Sequence, residues 1–187
     1  MKKEEVRRSI KAQKALLDAT EKAQAAQRVF AELEQTAAFM LAQNILMYHS
    51  LPDELSTIDF IEKWHKRKHF FLPRVNGVNL DILPYERTRL SLGAFQIEEP
   101  QGDDIHSADE MELIIVPAIA YDRAGNRVGR GKGYYDRLLA STKATKIGVG
   151  YHFQLVQTVD AEDHDVPVDI VITDREVLHI HPRNKKQ

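Results

Sequence analysis

Residues 113–139 constrain the fold of this chain more than any other stretch. They begin with an apolar run at 113–116, which predicts a buried strand, and end with a run at 134–139 that predicts the start of a helix. The residues between these runs include an alternating series, namely Gly129, Arg130, Gly131, Lys132 and Gly133. Glycine lets the backbone approach a phosphate closely, and a following helix points free N–H groups at it. The stretch therefore predicts an anion-binding loop, although a flexible basic turn would have the same composition.

The glycine spacing does not match two common nucleotide-binding motifs. A P-loop has serine or threonine after its Gly-Lys pair to hold magnesium, whereas Lys132 is followed by Gly133. The dinucleotide-binding fingerprint needs a third glycine where this chain has Tyr134. The loop therefore follows a different pattern.

That pattern closely resembles the signature of the 5-formyltetrahydrofolate cyclo-ligase family, also called 5,10-methenyltetrahydrofolate synthetases. The signature reads Pro-x-x-x-(Phe/Tyr)-Asp-x-x-Gly-x-Arg-(Leu/Val)-Gly-x-Gly-x-Gly-Tyr-Tyr-Asp, and every fixed position is filled between Pro117 and Asp136. The resemblance implies an ATP-dependent ligase that cyclises 5-formyltetrahydrofolate to 5,10-methenyltetrahydrofolate and releases ADP and phosphate. In the implied reaction, the formyl oxygen is phosphorylated before N10 attacks the formyl carbon.

Length and composition indicate one globular domain spanning residues 1–187. The net charge of −2 does not suggest binding to nucleic acid or to a membrane surface. The absence of cysteine excludes disulfides and thiol catalysis, and it fits a reducing compartment. No apolar run approaches the roughly 18–20 residues that cross a bilayer, and the N-terminus lacks the apolar core of a signal peptide. We therefore expect a cytoplasmic protein that acts as a monomer on small molecules.

Helical and strand patterns alternate along the chain. The segment 1–40 contains neither glycine nor proline and favours two helices, at about 2–18 and 21–40. A further helix, capped by Ser56 or Thr57, is predicted to run to about residue 66. Predicted strands or extended segments lie at 44–48, 69–75, 80–84, 113–116, 146–151, 170–173 and 178–181. This alternation predicts an α/β fold: a single-domain, three-layer, open, mainly parallel sheet with helices on both faces and a helical N-terminus.

The family resemblance implies a nucleotide site built from the glycine-rich loop and the N-terminal helix. Lys3 and Arg7 match a Lys-x-x-x-Arg pattern of the family, and one helical turn places both cations on the same face. Without the resemblance, such a basic helix is more simply a solvated face. The implied ATP contacts are Lys3, Arg7, Arg127, Val128, Gly129, Arg130, Gly131, Lys132, Gly133, Tyr134 and Tyr135. The implied catalytic residues among them are Lys132, Arg130 and Tyr134.

The resemblance also implies that the loop at 48–54 contacts the folate. Glu54 could instead stabilise a helix N-terminus, and Phe95 could be an ordinary core residue. The implied folate contacts are His49, Glu54, Phe95, Arg130, Gly131, Lys132, Gly133 and Tyr134. Open α/β sheets bind ligands at the carboxyl edge of their strands. We therefore expect the site to gather three loops at that edge, namely 48–54, 117–135 and 160–165.

Mg²⁺ is the implied cofactor, held by Asp136 and Asp165. Magnesium in such sites binds one or two carboxylates while substrate phosphates complete its shell. On composition alone, Asp136 could simply favour the start of its helix, and the acidic run around Asp165 could be a solvated turn. His65 and His69 lie four residues apart but have no third ligand nearby in the sequence, so we do not expect a metal there.

Two other functions fit parts of the sequence. A non-catalytic protein could use the same residues to hold nucleotide or reduced folate. A sugar-phosphate isomerase or an acyltransferase could share the α/β scaffold, by fold analogy alone. The complete set of motif positions favours the ligase, since a binding protein could lose Lys132 or Asp136 without consequence. Consumption of ATP would separate the ligase from the isomerase and the acyltransferase.

Overall fold

A computed structural model of the chain describes residues 1–86, 90–92 and 98–181. Its helices are α1 (Lys3–Lys14), α2 (Ala19–Glu34), α3 (Ala37–Leu41), α4 (Ile58–Trp64) and α5 (Tyr134–Leu139). None of these helices of the described part combines the length and the apolar character needed to cross a membrane. Its strands are β1 (Asn44–Leu46), β2 (His69–Asn76), β3 (Asn79–Pro84), β4 (Leu90–Leu92), β5 (Glu98–Pro100), β6 (Leu113–Val116), β7 (Ala120–Asp122), β8 (Arg127–Val128), β9 (Thr145–Gly150), β10 (Leu155–Val156), β11 (Ile170–Thr173) and β12 (Val177–His179).

Seven of the strands form one mainly parallel sheet, in the order β12-β11-β9-β6-β1-β2-β3. The five inner strands run parallel, and the edge strands β3 and β12 are antiparallel to their neighbours. The chain passes from β1 to β2 on one side and later places β6 on the other side, so the strand order reverses between β1 and β6. Open α/β sheets bind ligands at the carboxyl edge beside such a reversal. The predicted open, mainly parallel sheet is confirmed.

Helices cover both faces of the sheet, as predicted. Successive residues of a strand point to opposite faces, and Ile45 and Leu46 of β1 accordingly belong to different clusters of buried residues. The cluster of Ile45 contains residues of α2, α3 and α4, including Phe60, whereas the cluster of Leu46 contains Leu139 of α5. The inner strands are therefore buried on both sides, which explains a continuous apolar run such as Leu113–Val116.

The N-terminal region contains three helices where two were predicted, at 2–18 and 21–40. The first boundary is set by Asp18, whose side chain accepts a 2.8 Å hydrogen bond from a backbone N–H three residues later and caps α2. The second is set by Thr36, whose hydroxyl accepts a 3.2 Å hydrogen bond in the same way and caps α3. The prediction of one helix through Thr36 was wrong because this cap outweighs the helix-forming composition around it.

The segment 117–135, predicted to be a loop throughout, contains a hairpin formed by β7 and β8. The carboxylate of Asp122 accepts hydrogen bonds from the backbone N–H groups of Ala124 and Asn126, both at 2.9 Å, and closes the turn. Gly125 has a φ of 83° in this turn, and a Cβ there would lie 2.6 Å from a backbone oxygen. The prediction overlooked a turn signal, because aspartate and glycine favour such a reversal. The other predicted helices and strands are present, with ends that differ by no more than two residues.

Helix α1 packs against a second, three-stranded sheet formed by β10, β7 and β8. Its buried residues Val6 and Ile10 share a cluster with Ala120 and Val128 of that sheet. Because β8 leads directly into the glycine-rich loop, this packing places α1 beside the loop. The N-terminal helix thus becomes one wall of the candidate site.

Candidate functional site

The glycine-rich loop meets the loop after β1 at the carboxyl edge of the sheet, beside the reversal between β1 and β6. Arg130 makes this contact with its guanidinium group. Its Nη2 atom lies 3.5 Å from Oδ1 of Asp53 and 4.0 Å from Oε2 of Glu54. A basic loop suited to phosphate and an acidic loop after β1 therefore face each other across one crevice.

Two cations of α1 join the same edge. Lys3 lies 2.8 Å from Oδ2 of Asp165, and Nε of Arg7 donates a 2.9 Å hydrogen bond to the carbonyl of Gly129. The prediction that Lys3 and Arg7 share one helical face is confirmed, since both reach the site while Val6 between them faces the core. The loops expected to meet do so, namely 48–54, 117–135 and 160–165.

The glycine-rich loop has a backbone that requires glycine at two positions. Gly131 and Gly133 have φ values of 98° and 70°, in the left-handed region that side chains disfavour. A Cβ on Gly133 would also lie 2.8 Å from a guanidinium nitrogen of Arg137. These two conformations set the direction of the exposed Lys132 between them.

Arg137, the residue after the signature, holds the glycine-rich loop in place through hydrogen bonds. Its Nη2 atom donates to the carbonyl of Lys132 at 2.8 Å, and its Nε atom donates to the carbonyl of Val78 at 2.7 Å. The hydroxyl of Tyr134 also reaches the same β2–β3 turn, at 3.4 Å from the carbonyl of Gly77. Sequence analysis did not identify Arg137, because no local spacing pattern links it to the β2–β3 turn, which lies far earlier in the chain.

Arg127 is buried beneath the loop, with 5% of its side chain exposed. Its Nη2 atom donates to Oδ1 of Asp136 at 2.9 Å, and its Nη1 atom donates to the carbonyl of Pro117 at 3.3 Å. Its guanidinium group also lies over the ring of Tyr135, at 5.9 Å from the ring centre. Arg127 therefore ties the end of β6 to the start of α5, and its implied contact with ATP stays a prediction.

The two implied magnesium ligands, Asp136 and Asp165, differ in how many of their carboxylate oxygens have protein partners. Asp136 accepts hydrogen bonds from Arg127 and from the Val166 N–H at 3.2 Å, both through Oδ1. Within residues 1–86, 90–92 and 98–181, its Oδ2 atom accepts none, so Asp136 offers one oxygen to a cation. Asp165 has partners at both oxygens: Oδ2 accepts hydrogen bonds from Lys3 and from the N–H of Glu162, and Oδ1 lies 3.5 Å from Nε2 of His164.

The described residues contain no group of three or more histidine, aspartate or glutamate side chains arranged to hold a metal ion. His65 meets the ring of Tyr85 edge-on, and Nδ1 of His69 lies 3.2 Å from Oδ1 of Asn44. A magnesium ion at this site would therefore bind few protein oxygens and depend on phosphate and water for the rest, which suits Mg²⁺.

We expect Asp165→Asn to lower the free energy of unfolding by about 1 kcal/mol near neutral pH, the usual worth of a charge-assisted contact. Burial alone would raise the pKa of the Asp165 carboxyl, but the Glu162 N–H and the Lys3 ammonium outweigh it and hold that pKa below its usual range. A carboxylate with a lowered pKa stabilises the fold above its unfolded-state pKa of about 3.9, and this contribution fades as the pH falls through the folded-state value. Urea unfolding of both proteins as a function of pH measures it. A difference that does not shrink below about pH 4 would contradict the ion pair.

Glu54 lies at the mouth of a small cavity in the crevice. Burial raises the pKa of its carboxyl, which accepts a 2.9 Å hydrogen bond from the N–H of Leu51. This hydrogen bond lies within the loop. Helix α4 begins only at Ile58, so Glu54 does not stabilise a helix N-terminus, and that alternative was wrong. The cavity is lined by Tyr48, Glu54, Leu55, Pro117, Ala118, Val149 and Gln154. The cavity measures only about 10 Å³, the size of one water site, so it supplies a mostly buried carboxyl and apolar walls to the crevice but does not itself enclose a ligand.

The two remaining implied folate contacts have different outcomes. His49 lies in the loop after β1, three residues beyond the end of that strand, and its Nε2 atom lies 3.3 Å from Oε2 of Glu98. Its contact with folate stays a prediction. Phe95 lies outside the residues that the structure describes.

Sequence reasoning missed a buried cation at the far end of α1. Lys14 continues the series Val6, Ile10 at steps of four residues, and only 8% of its side chain is exposed. Its ammonium lies 3.8 Å from Oδ2 of Asp53. The four-residue step was a usable signal, because it places Lys14 on the buried face of the helix and away from the exposed basic face.

Comparisons with known proteins agree with this geometry. The family model for the 5-formyltetrahydrofolate cyclo-ligase family matches residues 1–174. The chain is 30% identical over 182 residues to the 5-formyltetrahydrofolate cyclo-ligase of Haemophilus influenzae, covering 91% of this chain and 97% of that protein. It is 30% identical over 148 residues to the Escherichia coli protein of the same name, covering 74% of this chain and 81% of that one.

A solved structure shares the whole fold. The 5,10-methenyltetrahydrofolate synthetase of Aquifex aeolicus superposes with a TM-score of 0.86 at 28% identity, covering 99% of each chain. Family match, sequence identity and superposition all extend over the loops that build the crevice. The chain belongs to the 5-formyltetrahydrofolate cyclo-ligase family.

Proposed function

We propose that this chain is an ATP-dependent ligase that converts 5-formyltetrahydrofolate into 5,10-methenyltetrahydrofolate, with release of ADP and phosphate. The observation that carries the proposal is the contact of Arg130 with Asp53 and Glu54, at 3.5 and 4.0 Å. It joins the signature loop, suited to phosphate, to the wall of the crevice that carries the Glu54 carboxyl, which we assign to the folate. In this proposal both halves of a two-substrate reaction meet at one edge of the sheet.

The chemistry requires activation of a poor electrophile. A formamide carbonyl resists attack because its nitrogen lone pair is delocalised. Transfer of a phosphoryl group to the formyl oxygen makes that oxygen a leaving group and leaves an iminium carbon. N10 of the folate then attacks this carbon and loses its proton, the C–O bond breaks, and the oxygen departs with the phosphate. No protein nucleophile is needed, so the work of the protein is orientation and charge stabilisation.

The cations of the crevice are assigned to the nucleotide. Lys132 stands on the outer side of the glycine-rich loop, and Arg130 lies beside it. Lys3 and Arg7 approach the same loop from α1, and Arg7 already binds its backbone at Gly129. Cations and N–H donors fixed in advance stabilise the charge that develops on a transferring phosphoryl group. In this proposal Lys132 and Arg130 act on the transferred group, and the α1 cations hold the rest of the phosphate chain.

The folate is assigned to the crevice beside Glu54 and to the two tyrosines that follow the glycine-rich loop. Tyr134 and Tyr135 follow the last loop glycine and offer ring faces and hydroxyls to the substrate. Burial and the nearby Glu54 charge raise the pKa of Tyr135, so it stays a hydrogen-bond donor at neutral pH. Glu54 is the polar group at the cavity mouth, and we assign it a hydrogen bond to the folate. The rings and this carboxyl would orient the formyl oxygen toward the terminal phosphate.

Magnesium is assigned to Asp136, with Asp165 in support. A bound Mg²⁺ would neutralise charge on the phosphoryl oxygens. Oδ2 of Asp136 is the protein oxygen best placed to hold it, because Arg127 and the Val166 N–H fix the carboxylate through Oδ1. Asp165 holds Lys3 beside the loop, which orients a cation toward the phosphates.

We expect Asp136→Asn to raise the Mg²⁺ concentration needed for half-maximal activity by roughly tenfold or more, the usual cost of weakening a metal ligand. The amide keeps the size of the side chain and can still accept from Arg127, but it is a poorer ligand. Magnesium titrations of ligase activity measure the effect. Asp163→Asn, at an exposed carboxylate in the neighbouring loop, is the matched control. An unchanged titration curve for Asp136→Asn would show that the metal binds elsewhere.

The direct test of the function is formation of methenyl-folate, followed by its absorbance, with and without ATP. The proposal predicts product only when ATP is present, together with one ADP for each product molecule. Binding of both ligands with no product would instead identify a non-catalytic nucleotide and folate binding protein.

The setting of the reaction follows from the same reasoning. We propose a monomer, because one chain supplies every loop of the crevice, and we propose that it works in the cytoplasm. The lack of cysteine is compatible with that reducing compartment.

A further inference from the structure

The carboxylate of Asp53 lies between two cations from distant parts of the chain. Its Oδ2 atom is 3.8 Å from Nζ of Lys14, at the end of α1, and its Oδ1 atom is 3.5 Å from Nη2 of Arg130. The side chains of Asp53 and Arg130 are 53% and 51% exposed, whereas that of Lys14 is 8% exposed. One carboxylate is therefore shared between a buried cation that cannot leave and an accessible cation that can.

Lys14 depends on Asp53. Among the residues that the structure describes, Asp53 is the one carboxylate within ion-pair distance of its ammonium. Burial lowers the pKa of Lys14; the charges of Asp53 and Glu54 oppose that effect, and the charge of Arg130 adds to it. A buried charge without a partner is costly, so Lys14 holds Asp53 in place at the end of the loop after β1.

Arg130 has two uses that compete for its guanidinium group. Its Nη2 atom faces Asp53 and Glu54 in this structure, and the proposed function requires the group on the phosphates of ATP. Movement toward the phosphates lengthens both carboxylate contacts, which are already near the limit of ion-pair distance. The energy lost in that step depends on whether another cation remains beside Asp53.

We propose that Lys14, acting through Asp53, positions Arg130 and makes its transfer from the acidic loop to the phosphates of ATP easy. This inference rests on the proposed function, in which Arg130 contacts the nucleotide. Lys14 supplies a permanent counter-charge, so Asp53 is never left unpaired when Arg130 moves. Lys14 is a positioning residue, since its ammonium touches Asp53 and no substrate atom.

The experiment compares Lys14→Met, Asp53→Asn and the double variant by calorimetric titration with the magnesium complex of a non-hydrolysable ATP analogue. Among the described residues, Lys14→Met leaves Arg130 as the one cation paired with Asp53. We expect the Kd to rise about fivefold, equivalent to about 1 kcal/mol at about 1.4 kcal/mol per tenfold. Asp53→Asn removes the competing charge and is expected to lower the Kd. The decisive result is the double variant, in which removal of Lys14 should no longer weaken binding.

Two controls separate this mechanism from simpler ones. Lys11→Met removes an exposed cation from the same helix, and we expect it to change the Kd little. Thermal unfolding of each variant shows that the fold is kept; methionine matches the length of lysine and suits a buried site. A plain long-range attraction between Lys14 and the phosphates would survive in the Asp53→Asn background, whereas positioning through Asp53 would not.

The possible failures are distinguishable. If wild type binds the analogue and Lys14→Met binds it equally well, the role of Lys14 is wrong while the proposed function stands. The role is also wrong if Lys14→Met weakens binding by the same factor with and without Asp53. If wild type neither binds the analogue nor consumes ATP, the proposed function fails and takes this inference with it.

Discussion

Lys132→Ala is expected to lower kcat/KM by roughly 30-fold to 1,000-fold, equivalent to about 2–4 kcal/mol of transition-state stabilisation. Lys132 stands between Gly131 and Gly133, whose left-handed backbones set its direction, and Arg137 holds its carbonyl at 2.8 Å. Alanine leaves those backbone interactions in place and removes the ammonium together with the three methylene groups that carry it. A charged group fixed in advance at the transferring phosphoryl group contributes an effect of this size because no reorganisation is needed during reaction.

Steady-state kinetics with both substrates varied measures this loss. Lys143→Ala is the matched control, since Lys143 is also an exposed lysine near α5 but lies just before β9, at the opposite edge of the sheet. We expect the control to retain wild-type kinetics. Turnover of Lys132→Ala at the wild-type level would remove Lys132 from the catalytic set.

Arg127→Met is expected to lower the free energy of unfolding by about 3 kcal/mol, the scale of breaking a buried ion pair by removing one partner. The guanidinium of Arg127 is 5% exposed and holds Asp136 at 2.9 Å and the carbonyl of Pro117 at 3.3 Å. Methionine fills much of the same space but leaves the Asp136 carboxylate without its cation. The end of β6 and the start of α5 then lose their connection, so activity is expected to fall as well.

Urea denaturation measures the stability of this variant, and two comparisons locate the cause. Arg123→Met breaks an ion pair with Glu176 in which both side chains are nearly half exposed, and we expect a much smaller loss of stability than for Arg127→Met. The double variant Arg127→Met, Asp136→Leu should recover part of the lost stability, because the unpaired carboxylate is gone. No recovery would mean that lost packing, and not the stranded charge of Asp136, causes the loss.

Local patterns were sufficient to predict the seven strands of the large sheet and the glycine-rich loop. The run 113–116 is apolar throughout because both faces of β6 are buried, so its position and length follow from composition. Lys3 and Arg7 share a face because one turn of helix separates them, which needs no tertiary information. Features set by spacing within one element were therefore predictable.

Features set by packing between distant elements were not predictable. Lys14 and Asp53 are brought together only when α1 lies across the small sheet formed by β10, β7 and β8. Arg137 reaches the carbonyl of Val78 only because of where the β2–β3 hairpin lies, and no sequence motif indicates that position. The break between α2 and α3 at Thr36 is an intermediate case. The N-cap residue can be recognised in the sequence, but the strong helix formers around it favour a continuous helix.

The order of bond changes is the central claim, and isotope transfer tests it most directly. Substrate carrying ¹⁸O in the formyl group is converted in a single turnover in unlabelled water, and the released phosphate is analysed by mass spectrometry. Phosphorylation of the formyl oxygen followed by attack of N10 predicts that the label appears in inorganic phosphate, because the formyl C–O bond is the one that breaks. Phosphate without label would contradict this order even if ATP-dependent ligase activity were present, and would point to a phosphoenzyme that is hydrolysed by water.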